Sequence, residues 1–156
     1  MKMVWRRHTT ILLVFGVLAI IIATAIAFVV DNFSPQTDVR LGATVYSVTV
    51  ADTEEKRIQG LSGVESLGPN EGMLFDFGTT GLWGIWMKDM RIPIDIIWLD
   101  ESKKVITIVK DAPPELGETK TYTPTAPARY VLEVQAGASQ RDGIKIGDTA
   151  QFEVQR

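Results

Sequence analysis

The 156-residue sequence contains no cysteine and only one histidine, His8. Without sulfur that can ionise or oxidise, disulfides, thiolate nucleophiles, zinc–thiolate sites and iron–sulfur ligation are all excluded. Everything downstream of His8 lacks an imidazole for general-base work or metal binding. A chain of this length also has no room for a large multidomain enzyme. Acidic side chains are missing from the first 30 residues, where Lys2, Arg6 and Arg7 are the charged groups. Residues 31–156 carry 13 basic and 19 acidic side chains, a net charge of −6. No cluster of lysine and arginine is present there to neutralise phosphates, so nucleic acid is not an expected partner.

What is present is one long apolar run. Residues Ile11 to Val30 hold no charged side chain, and 20 residues of helix at ~1.5 Å each span roughly 30 Å, the thickness of a bilayer's hydrocarbon core. The basic residues before it and Asp31 and Asp38 after it predict a cytoplasmic tail over 1–10, a transmembrane anchor over 11–30 and an extracytoplasmic remainder. The alternative is a cleaved signal peptide, because Ala25-Ile26-Ala27 offers small residues at cleavage spacing. That alternative gives a secreted or periplasmic domain with the same topology, but untethered. The polar stretch 31–39, with Pro35, reads as a linker. The expected partner of 11–30 is the lipid bilayer, and Gly16, Ala19, Ala23 and Ala27 would permit close approach of a second helix in a membrane complex.

From residue 40 to 156 the signals are mainly short strands. Ala43–Ala51 alternates Tyr46, Val48 and Val50 against Val45, Ser47 and Thr49. Asp52 and Glu55 stand three apart as an N-cap pattern for one short helix over Thr53–Leu61. Met73–Phe77 reads as a strand, and along Trp83–Lys88 the period of two sets Trp83, Ile85 and Met87 against Trp86 and Lys88. Ile94–Leu99 is apolar on both faces except at Asp95, and turns through Asp100-Glu101-Ser102 into Val105–Val109 as a hairpin. Asp111–Ala128 carries four prolines and reads as an ordered loop with an extended piece near Tyr122. Tyr130–Gln135 and Ala150–Val154 close the domain, with a helical turn or loop over 136–142 between them. The expected fold is mainly β: a small, mostly antiparallel β-sandwich or barrel with one short helix, preceded by a single transmembrane helix.

Six motifs then occur in one order: Arg57-x-x-Gly60-Leu61, Gly72-Met73-Leu74-Phe75-x-Phe77, Trp86-Met87-Lys88, Ile92-Pro93-Ile94-Asp95-Ile96-Ile97, Val131-Leu132-Glu133-Val134-x-Ala136-Gly137 and Gly143-Ile144-Lys145-x-Gly147-Asp148. In these the chain resembles domain-of-unknown-function family 192, also called uncharacterised protein family 0127, over about residues 42–155. The resemblance implies a compact, mainly β domain, often carried behind a signal sequence or membrane anchor, and no established activity. Ser62 and Val64 replace residues that are commonly Met and Arg in the family, and Asp89 and Met90 replace a common Asn-Thr.

Asp95 stands out because an unpaired carboxylate buried in an apolar strand costs several kcal/mol. Lys88, Arg57 and Arg91 are the expected partners, either in a structural ion pair or around a ligand or transferable proton. Trp86 and Lys88 share a strand face, as suits a shallow pocket in which an aromatic plane stacks a flat ligand while an ammonium meets an anion. The bland alternative packs Trp86 with Trp83 and Trp98. Met87 and Met90 could offer thioethers to Cu(I), but neither histidine nor cysteine is available to complete a site, so no metal or cofactor is expected. Glu133 could pair with Asp95 as a second carboxylate, although its alternation with Val131 and Gln135 reads as a solvated face. The candidate cluster is therefore Arg57, Trp86, Met87, Lys88 and Asp95, with Glu133 secondary. The expectation is a non-catalytic, membrane-anchored extracytoplasmic binding or accessory domain engaging a small ligand or a membrane-complex partner. The alternative is a small envelope hydrolase or isomerase using Asp95 as acid or base.

Overall fold

The computed structural model describes residues 36–117 and 119–154. Nine strands fall in this range: β1 Gln36–Leu41, β2 Thr44–Ala51, β3 Glu71–Gly81, β4 Ile85–Trp86, β5 Ile94–Leu99, β6 Val105–Ala112, β7 Thr121–Tyr122, β8 Ala128–Gln135 and β9 Ala150–Gln151. Two short helices, α1 Glu54–Gln59 and α2 Ala138–Arg141, and a 3-10 turn over Pro114–Leu116 complete the set. The main sheet has the order β6-β5-β8-β3-β2-β1-β9, and β4 and β7 form a separate ribbon. The two ends of the main sheet approach each other where Lys104 bridges Thr149 and the Ala150 amide donates to the Lys103 carbonyl at 2.9 Å. The result is one curled main sheet, a half-barrel, nearer to the barrel than to the sandwich of the two expected architectures.

Every pairing is antiparallel except β2 with β3, which run parallel from Ser47↔Glu71 to Ala51↔Phe75. A parallel neighbour requires a crossover of about a dozen residues or more. Residues 52–70 supply it and contain α1, so this one connection is a helical crossover. The helix starts one residue later than the sequence pattern indicates. Thr53 is its N-cap, accepting from the Lys56 amide at 3.3 Å, while the Asp52 carboxylate pairs with the Lys56 ammonium at 2.8 Å. The stretch 31–39, read from sequence as a linker, is also corrected at its C-terminal end. Gln36–Leu41 pairs with β2 along its whole length, burying Val39 and Leu41 and exposing Gln36, Asp38 and Arg40. The alternation of Val39 and Leu41 with Asp38 and Arg40 is that of a half-buried strand.

Burial on both faces of the sheet explains the apolar strand β5, all six of whose residues are buried. Ile97 and Leu99 join a core with Val39, Tyr46, Val48 and Leu132 under α2. Ile94, Ile96 and Trp98 join a second core with Phe75, Ile85 and Met87 under the β4–β7 ribbon. Tyr46 ties α2 to the sheet through a short hydrogen bond to Asp142, which is itself held by Arg141 at 2.6 Å. Burial first, then the bond to Asp142, pushes the Tyr46 hydroxyl well above the usual tyrosine range. The predicted tail and span, residues 1–30, lie outside the described residues, as does His8. Among the described residues no helix is long and apolar enough to cross a membrane.

Candidate functional site

A cavity of about 260 Å³ opens on the face of the sheet that carries the second core. Phe75 and Phe77 of β3 and Glu133 of β8 line it from the sheet, because the registers Phe75↔Val131 and Met73↔Glu133 set these side chains on the same face. Arg57 and Ile58 of α1, with Leu61 and Ser62 after it, form one wall, and Ile85, Trp86, Lys88 and Met90 form the other. Two shallower depressions flank the cavity, and both are also bordered by Trp86 and Lys88.

Glu133 overturns its sequence reading. The side chain expected on a solvated face is 3% exposed, because β8 lies between β5 and β3 and the α1 crossover and β4 stand over this face. Among the described residues nothing donates to its carboxyl. Burial alone raises its pKa from 4.5 to about 8, since removing water penalises the charged form. Near neutral pH the group is therefore mainly a neutral acid, able both to donate and to accept.

Trp86 and Lys88 lie together as the period of two requires. Trp86 is 48% exposed, and the Lys88 ammonium sits 5.9 Å from its ring centroid. The Lys88 carbonyl accepts from the Ser62 hydroxyl at 2.9 Å, which fastens this segment to the loop after α1. The aromatic cluster forms without Trp86. Trp83 stacks on Phe77 at 4.6 Å, and the Trp98 indole donates to the Trp83 carbonyl at 2.9 Å. Arg57 is oriented by the carbonyls of Asp52 and Asp76, at 2.9 and 3.0 Å, and lies 5.4 Å from the Phe77 ring centroid. Met87 is fully buried in the core beneath, with Ile85.

Asp95 does not belong to this site. It is completely buried, and its alternation with Ile94 and Ile96 puts it on the opposite face of the sheet from Glu133, facing α2. None of the three expected cations reaches it. One oxygen accepts from the amides of Asp111 at 2.8 Å and Gly137 at 3.1 Å, and the other from the amide and hydroxyl of Ser139 at 2.9 and 2.6 Å. Arg91 instead pairs with Glu65 at the surface at 2.5 Å. The β5–β6 register shifts between Ile94 and Ile96, which leaves the Asp111 amide for a side chain rather than a strand. Asp95 is thus a backbone-clamping carboxylate, and the sequence grouping of Arg57, Trp86, Met87, Lys88 and Asp95 resolves into a cavity trio of Arg57, Trp86 and Lys88 and two separate buried residues.

Two glycines set the geometry. A Cβ on Gly72 would lie 2.3 Å from the Glu133 carbonyl, so the Gly72-Met73-Leu74-Phe75 motif lets β3 close onto the strand that carries Glu133. A Cβ on Gly117 would lie 2.2 Å from the Met87 carbonyl and 3.0 Å from the Lys88 amide. We expect Gly117→Ala to cost about 1–3 kcal/mol and to shift the Trp86 indole resonance, while Trp98 on the far side of Trp83 is unchanged. A two-dimensional NMR spectrum with a thermal melt checks both, and an unshifted Trp86 signal would contradict the contact.

Comparison with known proteins places this geometry in a family. The model of DUF192 (Uncharacterized ACR) matches residues 37–152. A UPF0127 protein of Thermococcus kodakarensis is 32% identical over 101 residues, 65% of this chain and 61% of the relative, so the match spans less than two thirds of that protein's length. A UPF0127 protein of Thermococcus gammatolerans is 32% identical over 109 residues, covering 69% of this chain and 67% of the relative. Among solved structures, a Sinorhizobium meliloti protein proposed to be a transcription regulator matches with a TM-score of 0.72 at 31% identity, covering 76% of this chain and 95% of the other. A Novosphingobium aromaticivorans protein of unknown function matches with a TM-score of 0.69 at 29% identity, covering 76% and 84%. With a family match across nearly the whole strand-rich region, and with its Gly72 and Trp86-Met87-Lys88 motifs serving the cavity, the chain belongs to the uncharacterised family DUF192.

Proposed function

We propose that the chain is a membrane-anchored extracytoplasmic binding domain that holds a small ligand in the cavity between α1 and Trp86. The observation that carries this reading is Glu133: a carboxyl almost wholly buried, without a partner among the described residues, lining a cavity open to solvent. No buried side-chain oxygen among the described residues lacks a partner, so the Glu133 carboxyl reaches solvent through the cavity, and a ligand that hydrogen-bonds to it takes the place of that solvent. Trp86 beside the opening adds a flat apolar face. Anchorage rests on the uncharged run 11–30 behind a basic tail. A transcription-regulator role, as proposed for the Sinorhizobium meliloti protein, is not carried over, because residues 31–156 have a net charge of −6 and would repel a phosphate backbone. The alternative, a small envelope hydrolase or isomerase using Asp95 as acid or base, has less support, since Asp95 lies on the other face of the sheet with both oxygens accepting hydrogen bonds.

The test is recovery of the ligand. Full-length protein extracted from membranes in mild detergent and then denatured is expected to release a small molecule detectable by mass spectrometry, absent from Trp86→Ala and Glu133→Leu preparations. Identical small-molecule profiles for all three would defeat the binding reading. Protease protection in sealed vesicles, with Lys88 accessible only from the extracytoplasmic side, tests the topology separately.

A further inference from the structure

The charged groups lining the cavity are Glu54 and Arg57 from α1, Lys88 from the segment after β4, and Glu133. No carboxylate lies within ion-pair distance of Arg57 or Lys88 among the described residues; Asp52 and Glu55 interact electrostatically with Arg57, which two carbonyls orient. The ammonium of Lys88 rests against Trp86 rather than an acid. Phe75, Phe77, Leu61 and Ile85 also line the cavity, and their side chains offer apolar contact but no hydrogen bond. The volume of about 260 Å³, near the lower end of the roughly 300–1,000 Å³ of pockets for drug-sized ligands, accommodates about one ring and its substituents.

Resting on the binding reading above, we infer that the cavity selects a single-ring organic anion: its negative group meets Lys88 and Arg57, its ring lies along the exposed Trp86, and a neutral hydroxyl bonds to Glu133. Each part answers a need of the site. Lys88 has no ion-pair partner among the described residues and rests against Trp86, the exposed Trp86 ring suits a planar body, and the largely desolvated Glu133 carboxyl suits a polar partner. A polyhydroxylated ring would leave most of its hydroxyls facing apolar walls. A cationic ligand would have to pass Arg57 and Lys88. Because Glu133 is mainly protonated near neutral pH, it can both donate to and accept from a hydroxyl. Its ionisation above pH 8 adds negative charge to the cavity and works against an anion, with Glu54 contributing the same sign and Arg57 and Lys88 the opposite.

The probe set is 4-hydroxybenzoate with three matched compounds: benzoate, which lacks the hydroxyl; 4-hydroxybenzamide, which lacks the charge; and 4-hydroxybenzylamine, which reverses it. Dissociation constants for the full chain in detergent, measured at pH 7 by saturation-transfer NMR titration, are expected to favour 4-hydroxybenzoate at least tenfold over each of the others. Lys88→Met is expected to erase its advantage over the amide, and Glu133→Leu its advantage over benzoate. Glu133→Gln, which keeps a neutral donor and acceptor, is expected to preserve the latter. Equal or tighter binding of the amide or the amine would overturn the inference while leaving a ligand-binding cavity standing. No binding of any of the four also overturns it, and the binding reading then stands or falls on the co-purification result.

Discussion

Glu133→Gln is expected to stabilise the folded domain at pH 8, by on the order of 4 kcal/mol, although it replaces a buried residue of a central strand. The sign follows from proton linkage. The Glu133 carboxyl titrates near 4.5 in the unfolded chain and at about 8 in the fold. Below pH 4.5 it is protonated in both states and contributes no pH dependence. Between pH 4.5 and 8 the unfolded chain loses this proton and the native state keeps it, so stability falls as pH rises, by about 1.4 kcal/mol per pH unit. Above pH 8 both states are ionised and the loss is complete. Glutamine has nearly the same shape and no proton to lose, so the variant lacks this slope. Urea unfolding of both proteins at half-unit steps from pH 4 to 9 measures the difference directly. The two curves are expected to converge near pH 4 and separate steadily towards pH 8. Parallel curves, or a variant less stable than the wild type at pH 8, would mean that the Glu133 carboxyl is solvated or paired.

Asp95→Ala is expected to cost about 4 kcal/mol, against the 5–15 kcal/mol that holds a typical domain together. The carboxylate accepts four hydrogen bonds, three of them from the backbone amides of Asp111, Gly137 and Ser139. Removing it leaves those donors without their acceptor, the buried Ser139 most of all and the more exposed Asp111 and Gly137 less, and each buried unsatisfied donor costs about 1–3 kcal/mol. Asp95→Asn keeps one accepting oxygen and presents an amide to the remaining donors, so a loss of about 2 kcal/mol is expected there. Because the clamp lies on the opposite face of the sheet from Glu133, the folded fraction of either variant should show unchanged ligand preference. Denaturant midpoints together with the four-compound titration separate the two effects. An Asp95→Ala protein within 1 kcal/mol of the wild type, or one with altered preference among the probes, would contradict this assignment.

Much of the fold is legible in the sequence because it is written in local alternation. The apolar strand from Ile94 to Leu99 is buried on both faces, and Trp86 and Met87 point in opposite directions as the period of two demands. The burial of Glu133 escapes that period for a physical reason. Alternation tells which residues share a face, but whether that face meets water depends on what covers it. Here the cover is α1, from the crossover between β2 and β3, about 75 residues earlier in the chain. The available signal was the unbroken set Val131, Leu132 and Val134 around the glutamate, which marks a strand buried on both sides. The partners of Asp95 were hidden differently. A search of side chains for a positive charge finds Lys88, Arg57 and Arg91, whereas the actual donors are mostly peptide N–H groups, which every residue but proline possesses and no sequence letter marks.

The two sides of the cavity differ in how firmly they are anchored. Glu133 stands on β8, hydrogen-bonded along its length to strands on both edges, whereas the facing wall is a six-residue helix with no fully buried side chain. Amides of α1 should therefore exchange with deuterium well before those of β8. Breathing of this kind lets the polar anchor keep its position while the helix yields to the bulk of a guest, so what a molecule carries at its inner end would be read more stringently than its girth.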